Sequence, residues 1–253
     1  MSQVQEVNPD RRLDFFIVGV QKGGTTALAT YLRRHPELQL SRTKEVHHFD
    51  DEQTVDWQSP DHARLHDQFD WTTENVLRGE ATPIYLYWPQ SLERLQRYNP
   101  DARLIVMLRH PAFRAFSHWR MEYKRQWDDL PFEEAISTEG RRRVETAPGG
   151  VHRVYSYVER GFYAPQVLRL LGLFPRSQIL FLRTDEMWKA PAAVLARIEE
   201  FLGVRPVLAE AVQPEYIPHV RRRSACRPLR TCHRARGRCW KVCSGTTSKK
   251  ARN

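Results

Sequence analysis

The chain has 253 residues, 41% of them hydrophobic, and its formal net charge at pH 7 is +10. This length predicts one large domain or two small ones, with one α/β domain as the default, and no apolar run is long enough to span a membrane. Residues 221–253 contain twelve Lys or Arg and no acidic residue, whereas residues 1–220 hold 28 basic and 30 acidic side chains. The positive balance therefore belongs to the C-terminal tail and says little about the body of the chain.

The N-terminal residues and the positions of the cysteines indicate the cellular compartment of the protein. Residues 1–12 are predicted to be an N-terminal extension, and they contain no apolar stretch of the kind that a signal peptide needs. All four cysteines lie in the tail, at Cys226, Cys232, Cys239 and Cys243. A body without cysteine predicts no disulfide framework and fits a reducing compartment, so we expect a cytoplasmic protein.

The first apolar run, residues 15–18 (FFIV), has the aromatic and β-branched composition of a buried strand. A glycine-rich turn follows it, and residues 27–32 then predict a helix. Glycines let the backbone approach a ligand closely, and the N–H groups of such a loop and of a helix N-terminus can face one anion together. The turn therefore predicts a phosphate or sulfate cradle, built by Lys22, Gly23, Gly24, Thr25 and Thr26.

This loop differs from the Walker A motif, which requires G-x-x-x-x-G-K-[ST]. Gly19 and Gly24 have the right spacing, but Thr25 stands where the motif has lysine, and the lysine lies inside the loop at position 22. The run VGVQKGGTTAL instead resembles the phosphosulfate-binding loop of sulfotransferases that use 3′-phosphoadenylyl sulfate (PAPS), of the heparan-sulfate type and its bacterial relatives. A turn that binds no ligand is the alternative.

The resemblance covers residues 13–218 and implies a PAPS-dependent sulfotransferase domain. Its fold would be a P-loop-like, three-layer α/β fold with a central, mostly parallel sheet and helices on both faces. Lys22, Gly23, Gly24, Thr25 and Thr26 would bind PAPS, the sulfuryl donor. Lys22 would also take part in catalysis. The reaction would move a sulfuryl group to an acceptor hydroxyl or amine, on a glycan or a small molecule, and it would need no metal ion.

A second segment follows a predicted strand at residues 38–41. Its run KEVHHFD resembles the N-E-V-H-F-F-D segment of the heparan-sulfate enzymes, in which the glutamate is the proposed general base. By that resemblance Glu45 is the base, and Lys44 and His47 position the base and the acceptor. Sulfuryl transfer to an alcohol needs a group that takes the hydroxyl proton, and a carboxylate can do so. His47 and His48 are rival bases, since their ordinary pKa suits neutral pH.

Two other readings of this segment are open. A metal site could use His47, His48 and Asp50, although adjacent histidines point in different directions on most backbones. A solvated charged loop is the other alternative. Further along, residues 56–71 are predicted to be helical, and residues 76–83 a short strand followed by a loop.

The run GEATPIYL, residues 79–86, resembles the G-E-K-[ST]-P-x-Y segment that lines the acceptor cleft of the family. The resemblance implies that Ala81, Thr82 and Pro83 contribute to acceptor binding, alongside Lys44, Glu45 and His47. Ala81 replaces a lysine that is common in that segment. The loss of this positive charge argues against a heavily anionic glycan acceptor.

Residues 102–108 (ARLIVML) form the clearest buried strand, of the kind found in parallel sheets covered on both faces. Arg109 follows at its carboxyl end, where α/β proteins bind ligands, and Ser117 lies eight residues on in a predicted helix, 111–126. A guanidinium group, which can donate two parallel hydrogen bonds, and a nearby hydroxyl group can together bind a phosphate monoester. The run LRHPAFRAFSHW resembles the 3′-phosphate-binding motif of sulfotransferases, which implies that Arg109 and Ser117 hold the 3′-phosphate of PAPS.

The main rival enzyme class is a nucleotide kinase or another P-loop phosphotransferase. A kinase would need an aspartate near such a strand end to organise Mg²⁺, and this strand ends in arginine. The main non-enzymatic alternative is a basic protein that binds nucleic acid through its C-terminal tail. We expect an acceptor substrate as the partner, and neither a membrane nor a nucleic acid; oligomeric state is not encoded in any pattern that we find.

Helices are predicted at residues 89–98, 132–137, 163–174 and 191–202, a surface loop at 139–150, and a third core strand at 178–182. Alternating strands and helices predict βαβ units and a mostly parallel sheet of about four or five strands.

Residues 219–253 depart from the family pattern. Their cysteines lack the C-x2-C pairs of strong zinc sites, and we predict a disordered or divergent tail, with a zinc site or a polyanion-binding arm as alternatives.

Overall fold

A computed structural model of the protein describes residues 11–211. One five-stranded sheet organises this part of the chain, and every strand pairs in parallel with its neighbours. The strands are β1 Phe15–Gly19, β2 Leu38–Leu40, β3 Leu77–Glu80, β4 Arg103–Leu108 and β5 Ile179–Arg183. This architecture confirms the predicted α/β class with a central parallel sheet.

The order of the strands across the sheet is β2-β3-β1-β4-β5. The chain thus builds β2 and β3 on one side of β1 and then crosses to place β4 and β5 on the other side. The crevice at the carboxyl ends of β1 and β4 is therefore the topological switch point, the place where open α/β sheets bind ligands. The loop that carries Lys22 follows β1, and Arg109 follows β4.

Residues 11–211 contain ten α-helices. They are α1 Thr25–Leu32, α2 Ala63–His66, α3 Ser91–Tyr98, α4 Pro111–Lys124, α5 Phe132–Ala135, α6 Thr138–Glu145, α7 Tyr163–Leu173, α8 Thr184–Lys189, α9 Pro191–Leu202 and α10 Leu208–Ala211. In this part of the chain no helix has the length and apolar composition needed to cross a bilayer.

Two apolar clusters lie on opposite faces of the sheet. Side chains alternate along a strand, so Phe16 and Val18 of β1 enter one cluster, with residues of α3 and α7, while Phe15 and Ile17 enter the other, with residues of α1 and α9. All five residues of β1 are buried. The sheet is thus the middle layer of three, as predicted from the sequence.

The helix predicted at residues 56–71 is wrong except for the single turn of α2. Carboxylates fix the local backbone in other turns: Asp56 accepts a hydrogen bond from the Gln58 N–H at 2.9 Å, and Asp61 accepts one from the Ala63 N–H at 2.8 Å. Such contacts offer the backbone an alternative to helical hydrogen bonds. Most of this segment is therefore irregular.

The surface loop predicted at residues 139–150 is also wrong, because it contains helix α6. The Ser137 hydroxyl accepts a hydrogen bond from the Gly140 N–H at 3.1 Å and caps the helix. Val144 is fully buried, and Gly140 lies so close to the Glu134 carbonyl that a Cβ would clash. The charged composition of this segment suggested a loop, but a capping serine and one buried apolar residue are enough to form a short helix. The predicted tail, residues 219–253, and nearly all of the predicted extension lie outside the described residues.

Candidate active site at the carboxyl edge of the sheet

The loop between β1 and α1 is pressed against β4. The Val20 N–H donates to the Met107 carbonyl at 3.1 Å, and a Cβ on Gly23 would lie 2.5 Å from that same carbonyl oxygen. Gly24 has a φ of 97° and precedes α1, where no side chain caps the helix. The first N–H groups of α1 thus have no side-chain acceptor, as an anion site at a helix N-terminus requires.

The hydroxyl-bearing residues of this loop differ in exposure. Thr25 is buried and Thr26 is exposed, both in the first turn of α1. Lys22 has a φ of 67°, an uncommon conformation for a residue with a side chain. Its ammonium lies 3.4 Å from the sulfur of Met121 on α4, so the lysine points across the crevice toward that helix.

Several charges act on the Lys22 ammonium. Burial and the nearby Arg125 lower the pKa of Lys22, and the carboxylates of Glu122 and Glu45 act in the opposite direction. Glu45 belongs to the loop after β2, and Glu122 lies on α4. The lysine therefore stands between the Glu45 loop and helix α4.

Arg109 joins the two motifs that were predicted to bind PAPS. Its Nη1 donates to the Lys22 carbonyl at 2.9 Å, and the Tyr163 hydroxyl donates to the Arg109 carbonyl at 2.7 Å. Ser117 lies half-buried on α4. The structure thus brings Arg109 against the glycine-rich loop, while Ser117 is placed on the helix that starts just beyond Arg109.

Glu45 lies on the loop between β2 and α2 and is about one-third exposed. Lys44 donates a hydrogen bond to its Oε1, and the His47 Nε2 is 3.8 Å from its Oε2. Burial opposes ionisation of Glu45, but the contacts with His47 and Lys44 outweigh burial and lower its pKa to about 2. The carboxylate is therefore ionised throughout the neutral range.

His47 is held on its other side by a buried carboxylate. Its Nδ1 lies 2.9 Å from Oδ2 of Asp50, which also accepts a hydrogen bond from Arg153. Burial opposes protonation of His47, but Asp50 and Glu45 raise its pKa to about 9. At neutral pH the ring is thus a cation between two anions.

The neighbouring His48 points elsewhere. It is almost fully buried, and its Nε2 is 2.8 Å from the Nδ1 of His62. Burial, followed by His62, lowers the pKa of His48 to about 4. The alternative metal site needs both histidines with Asp50, and their rings diverge; within residues 11–211 no group of three or more His, Cys, Asp or Glu is arranged to hold a metal ion.

The segment predicted to line the acceptor cleft lies behind the Glu45 loop. Ala81, Thr82 and Pro83 are all buried, and the methyl group of Ala81 belongs to the apolar cluster on the α1 face of the sheet. The Thr82 hydroxyl lies 3.4 Å from the His47 backbone nitrogen. Thr82 thus contacts the loop from its buried side, whereas the side chains of Lys44, Glu45 and His47 are partly exposed to solvent.

Comparison with known proteins identifies the family of this fold. A sequence-family model described as "Sulfotransferase domain" matches residues 12–221. The chain belongs to the sulfotransferase domain family. Its structure is similar to the crystal structure of a sulfotransferase from Alicyclobacillus acidocaldarius, with 30% sequence identity and a TM-score of 0.68 over 78% of this chain and 83% of that chain.

Two human proteins are also similar to this sulfotransferase domain. Heparan sulfate glucosamine 3-O-sulfotransferase 6 is 31% identical over 196 residues, and heparan sulfate glucosamine 3-O-sulfotransferase 3B1 is 29% identical over 196 residues. Both matches cover 77% of this chain, but they cover only 53% and 47% of those proteins. The chain spans about half the length of these curated relatives.

Three side chains at the candidate site have no role assigned to them there by the sequence motifs. Asp50 was considered only as a metal ligand, and Arg153 belongs to no recognisable pattern. Thr184 directly follows β5, and its hydroxyl contacts the Leu108 carbonyl at 2.9 Å and the Gly23 carbonyl. A polar residue at the carboxyl end of a core strand was the signal that could have identified Thr184.

Proposed function

We propose that this protein transfers a sulfuryl group from PAPS to a hydroxyl or amine of an acceptor, with in-line displacement at sulfur. The observation that carries the proposal is the convergence of Lys22, Glu45 and Arg109 at the switch point of the sheet. Arg109 is hydrogen-bonded to the Lys22 backbone, and Glu45 is near enough to act on the Lys22 ammonium. The site thus combines cations for an anionic sulfuryl donor with a carboxylate, that of Glu45, that can accept a proton.

The donor end of the site supplies positive charge and open N–H groups. Lys22 and the N–H groups of its loop stabilise negative charge on the bridging oxygen that leaves sulfur, as positioned donors do for other anionic transfers. Arg109 and Ser117 hold the 3′-phosphate, and Gly23, Gly24, Thr25 and Thr26 surround the phosphosulfate. The product that leaves is 3′-phosphoadenosine 5′-phosphate (PAP).

Glu45 accepts the proton of the acceptor in this proposal. The acceptor oxygen forms a bond to sulfur, the bond from sulfur to the bridging oxygen breaks, and the acceptor proton passes to the carboxylate. A carboxylate with a pKa of about 2 is a weak base in the resting site. It suffices because a hydroxyl becomes strongly acidic as its oxygen bonds to sulfur, so the proton moves late in the step.

Charge also argues against the rival bases. At neutral pH His47 already carries its proton, because its pKa is raised to about 9, and it cannot accept another. His48 is neutral, but its side chain is buried and its Nε2 is engaged with His62. His47 therefore serves as a cation that orients Glu45 and interacts with the acceptor.

The acceptor is proposed only as a class. The similar human proteins are named for the glucosamine of heparan sulfate, so a glycan hydroxyl is one candidate. Ala81 provides no cation at a position where the family commonly has lysine, which favours a less anionic glycan or a small hydroxyl or amine compound. The absence of cysteine in residues 1–220 supports the cytoplasm as the compartment.

The test is transfer from ³⁵S-labelled PAPS to a panel of acceptors: heparan sulfate, an uncharged glucosamine oligosaccharide, 4-nitrophenol and a primary amine. We expect label in at least one product and PAP formed in equal amount. A parallel reaction with γ-³²P-ATP and Mg²⁺ tests the kinase alternative. Phosphate transfer from ATP without any transfer from PAPS would overturn the proposal.

A further inference from the structure

Four successive backbone N–H groups of the Glu45 loop, at positions 46–49, donate hydrogen bonds to side chains of one other segment, residues 80–85. The Val46 N–H donates to Glu80 Oε1 at 3.1 Å. The His47 N–H donates to the Thr82 hydroxyl at 3.4 Å. The N–H groups of the next two residues both donate to the Tyr85 hydroxyl, from His48 at 3.0 Å and from Phe49 at 3.4 Å.

The three accepting side chains are themselves fixed. Glu80, Thr82 and Tyr85 have no solvent-exposed surface, and the Thr82 hydroxyl donates to the same Glu80 oxygen that accepts from the loop. Tyr85 packs edge-on against Phe49 in the apolar cluster, with ring centroids 5.5 Å apart. Buried groups with such partners have little freedom, so they present a rigid surface to the loop.

The loop needs this support because its backbone is in an unfavourable conformation. Glu45 has a φ of 60° and His47 a φ of 55°, and side chains disfavour both values. Such conformations persist only where the surroundings fix them. Val46, between the two, is held by its N–H to Glu80 and by its buried side chain.

Burial of the Glu80 carboxyl group lowers the stability of the fold, because the group loses its contact with water. Glu80 is at the end of β3, burial raises its pKa to about 7, and its second oxygen has no hydrogen-bond partner among the described residues. An apolar residue would avoid this desolvation cost but could not accept the Val46 N–H. What the carboxylate does provide is an acceptor between the two strained residues.

We propose that Glu80, Thr82 and Tyr85 are positioning residues that hold the Glu45 loop by its backbone and so fix the direction of the Glu45 carboxylate. This inference rests on the proposed function and deepens it. It also gives Thr82 a different role from the acceptor contact that its sequence motif suggests. Loss of one anchor should misplace Glu45 and lower kcat, while PAP binding, which uses other loops, stays intact.

The test compares Y85F with Y98F in the full chain. Tyr98 is a matched control because it is also buried, packs on Phe49, and accepts a backbone N–H, that of Leu13 at 3.0 Å, away from the Glu45 loop. Rates are measured with PAPS and the acceptor of the panel that gives the highest wild-type rate. We expect kcat of Y85F to fall about 10- to 100-fold below that of Y98F, since small misplacements of a catalytic group have effects of this size.

A second pair of variants separates positioning from general stability. T82V removes the hydroxyl at nearly constant shape, and T82S retains it. We expect T82V to lose kcat with unchanged Kd for PAP by calorimetry, and T82S to restore most of the rate. Equal rates in T82V and T82S, or in Y85F and Y98F, would overturn the proposal, because the hydroxyl anchors would then have no role in catalysis.

Hydrogen exchange of the four backbone amides, at positions 46–49, gives a readout that does not depend on activity. We expect faster exchange of these amides in Y85F and T82V than in wild type and Y98F, with the β4 amides unchanged in all four proteins. Unchanged exchange at positions 46–49 would refute the anchor itself. A wild-type protein that is inactive with PAPS would instead overturn the proposed function, and exchange would still decide whether the anchor exists.

Discussion

The Nδ1 atom of His47 lies 2.9 Å from Oδ2 of Asp50, a side chain with no solvent-exposed surface. The carboxylate keeps the imidazole protonated at neutral pH and turns its other nitrogen toward Glu45, at 3.8 Å. In the proposed mechanism this arrangement favours Glu45 over His47 as the proton acceptor. The assignment of Glu45 as the general base therefore depends on the protonation state of His47, which can be measured.

D50N should lower the pKa of His47 from about 9 toward its ordinary value, because the largest favourable contribution to the imidazolium comes from Asp50. NMR titration of the His47 ring in wild type and D50N measures this shift. Since the folded-state pKa is raised, the stabilisation linked to this ring is complete below its unfolded value and is lost as pH rises toward 9. Identical titration curves in the two proteins would contradict the contact.

E45Q should lower kcat by about 10²- to 10⁴-fold, the usual contribution of a general base, with nucleotide affinity intact. E37Q is the control, because Glu37 pairs with Arg205 at the opposite, amino edge of the sheet. The measurements are turnover with one acceptor and Kd for PAP. Normal turnover in E45Q together with a slow H47A would make His47 the base, and parallel loss of affinity and rate would make Glu45 structural.

K22A should lower the rate of sulfuryl transfer by about 10²-fold or more, the scale for loss of one transition-state donor. The control is K189A, since Lys189 is largely exposed on α8 and pairs with Asp185. Single-turnover rates at saturating PAPS isolate the chemical step from binding. Turnover near the wild-type value in K22A would remove this lysine from the mechanism.

R109A should weaken PAP binding by about 1.5–3 kcal/mol, the range for a hydrogen bond to a charged group. Calorimetry with PAP measures the change, and R205A, at the amino edge, is the control. The same titration with adenosine 5′-phosphate, which lacks the 3′-phosphate, should show a much smaller difference between R109A and wild type. Equal losses for the two nucleotides would mean that Arg109 does not contact the 3′-phosphate.

E80Q should change the pH dependence of stability. Because the folded-state pKa of Glu80 is raised to about 7, above its ordinary value of 4.5, the wild type loses stability through this group as pH rises from the lower value to the higher one. E80Q cannot titrate, so its free energy of unfolding relative to wild type should increase with pH, by on the order of 3 kcal/mol in total. Urea unfolding across this range tests the slope, and a constant difference would contradict the shift.

Sequence reasoning predicted the sheet well because its strands are marked by composition. Residues 15–18 and 102–108 are apolar runs, and both are central strands in the structure. The glycine-rich loop and Arg109 could be placed at one edge because each follows such a strand directly. Periodicity and local motifs carry this information without knowledge of the rest of the chain.

The contacts that complete the site could not be predicted in this way. Arg153 reaches Asp50 from a distant loop, and Thr184 reaches Gly23 across the sheet, so neither belongs to a local pattern. The pKa values of His47 and Glu45 depend on burial and on partners whose distances only the fold determines. The same holds for Tyr85, whose sequence motif suggested a cleft wall and whose hydroxyl contacts the backbone of another loop.

The position of β1 in the sheet has a consequence for biosynthesis. Phe15 pairs with Gly79 on one side and with Arg103 on the other, so the fully apolar β1 gains its second neighbour only after β4 has been translated. Until then the emerging chain exposes a hydrophobic strand with an unpaired edge, the kind of segment that associates with other chains. A chaperone that shields this strand until β4 has been made should therefore favour recovery of the native protein over aggregates, and slow synthesis without such a chaperone should favour aggregates.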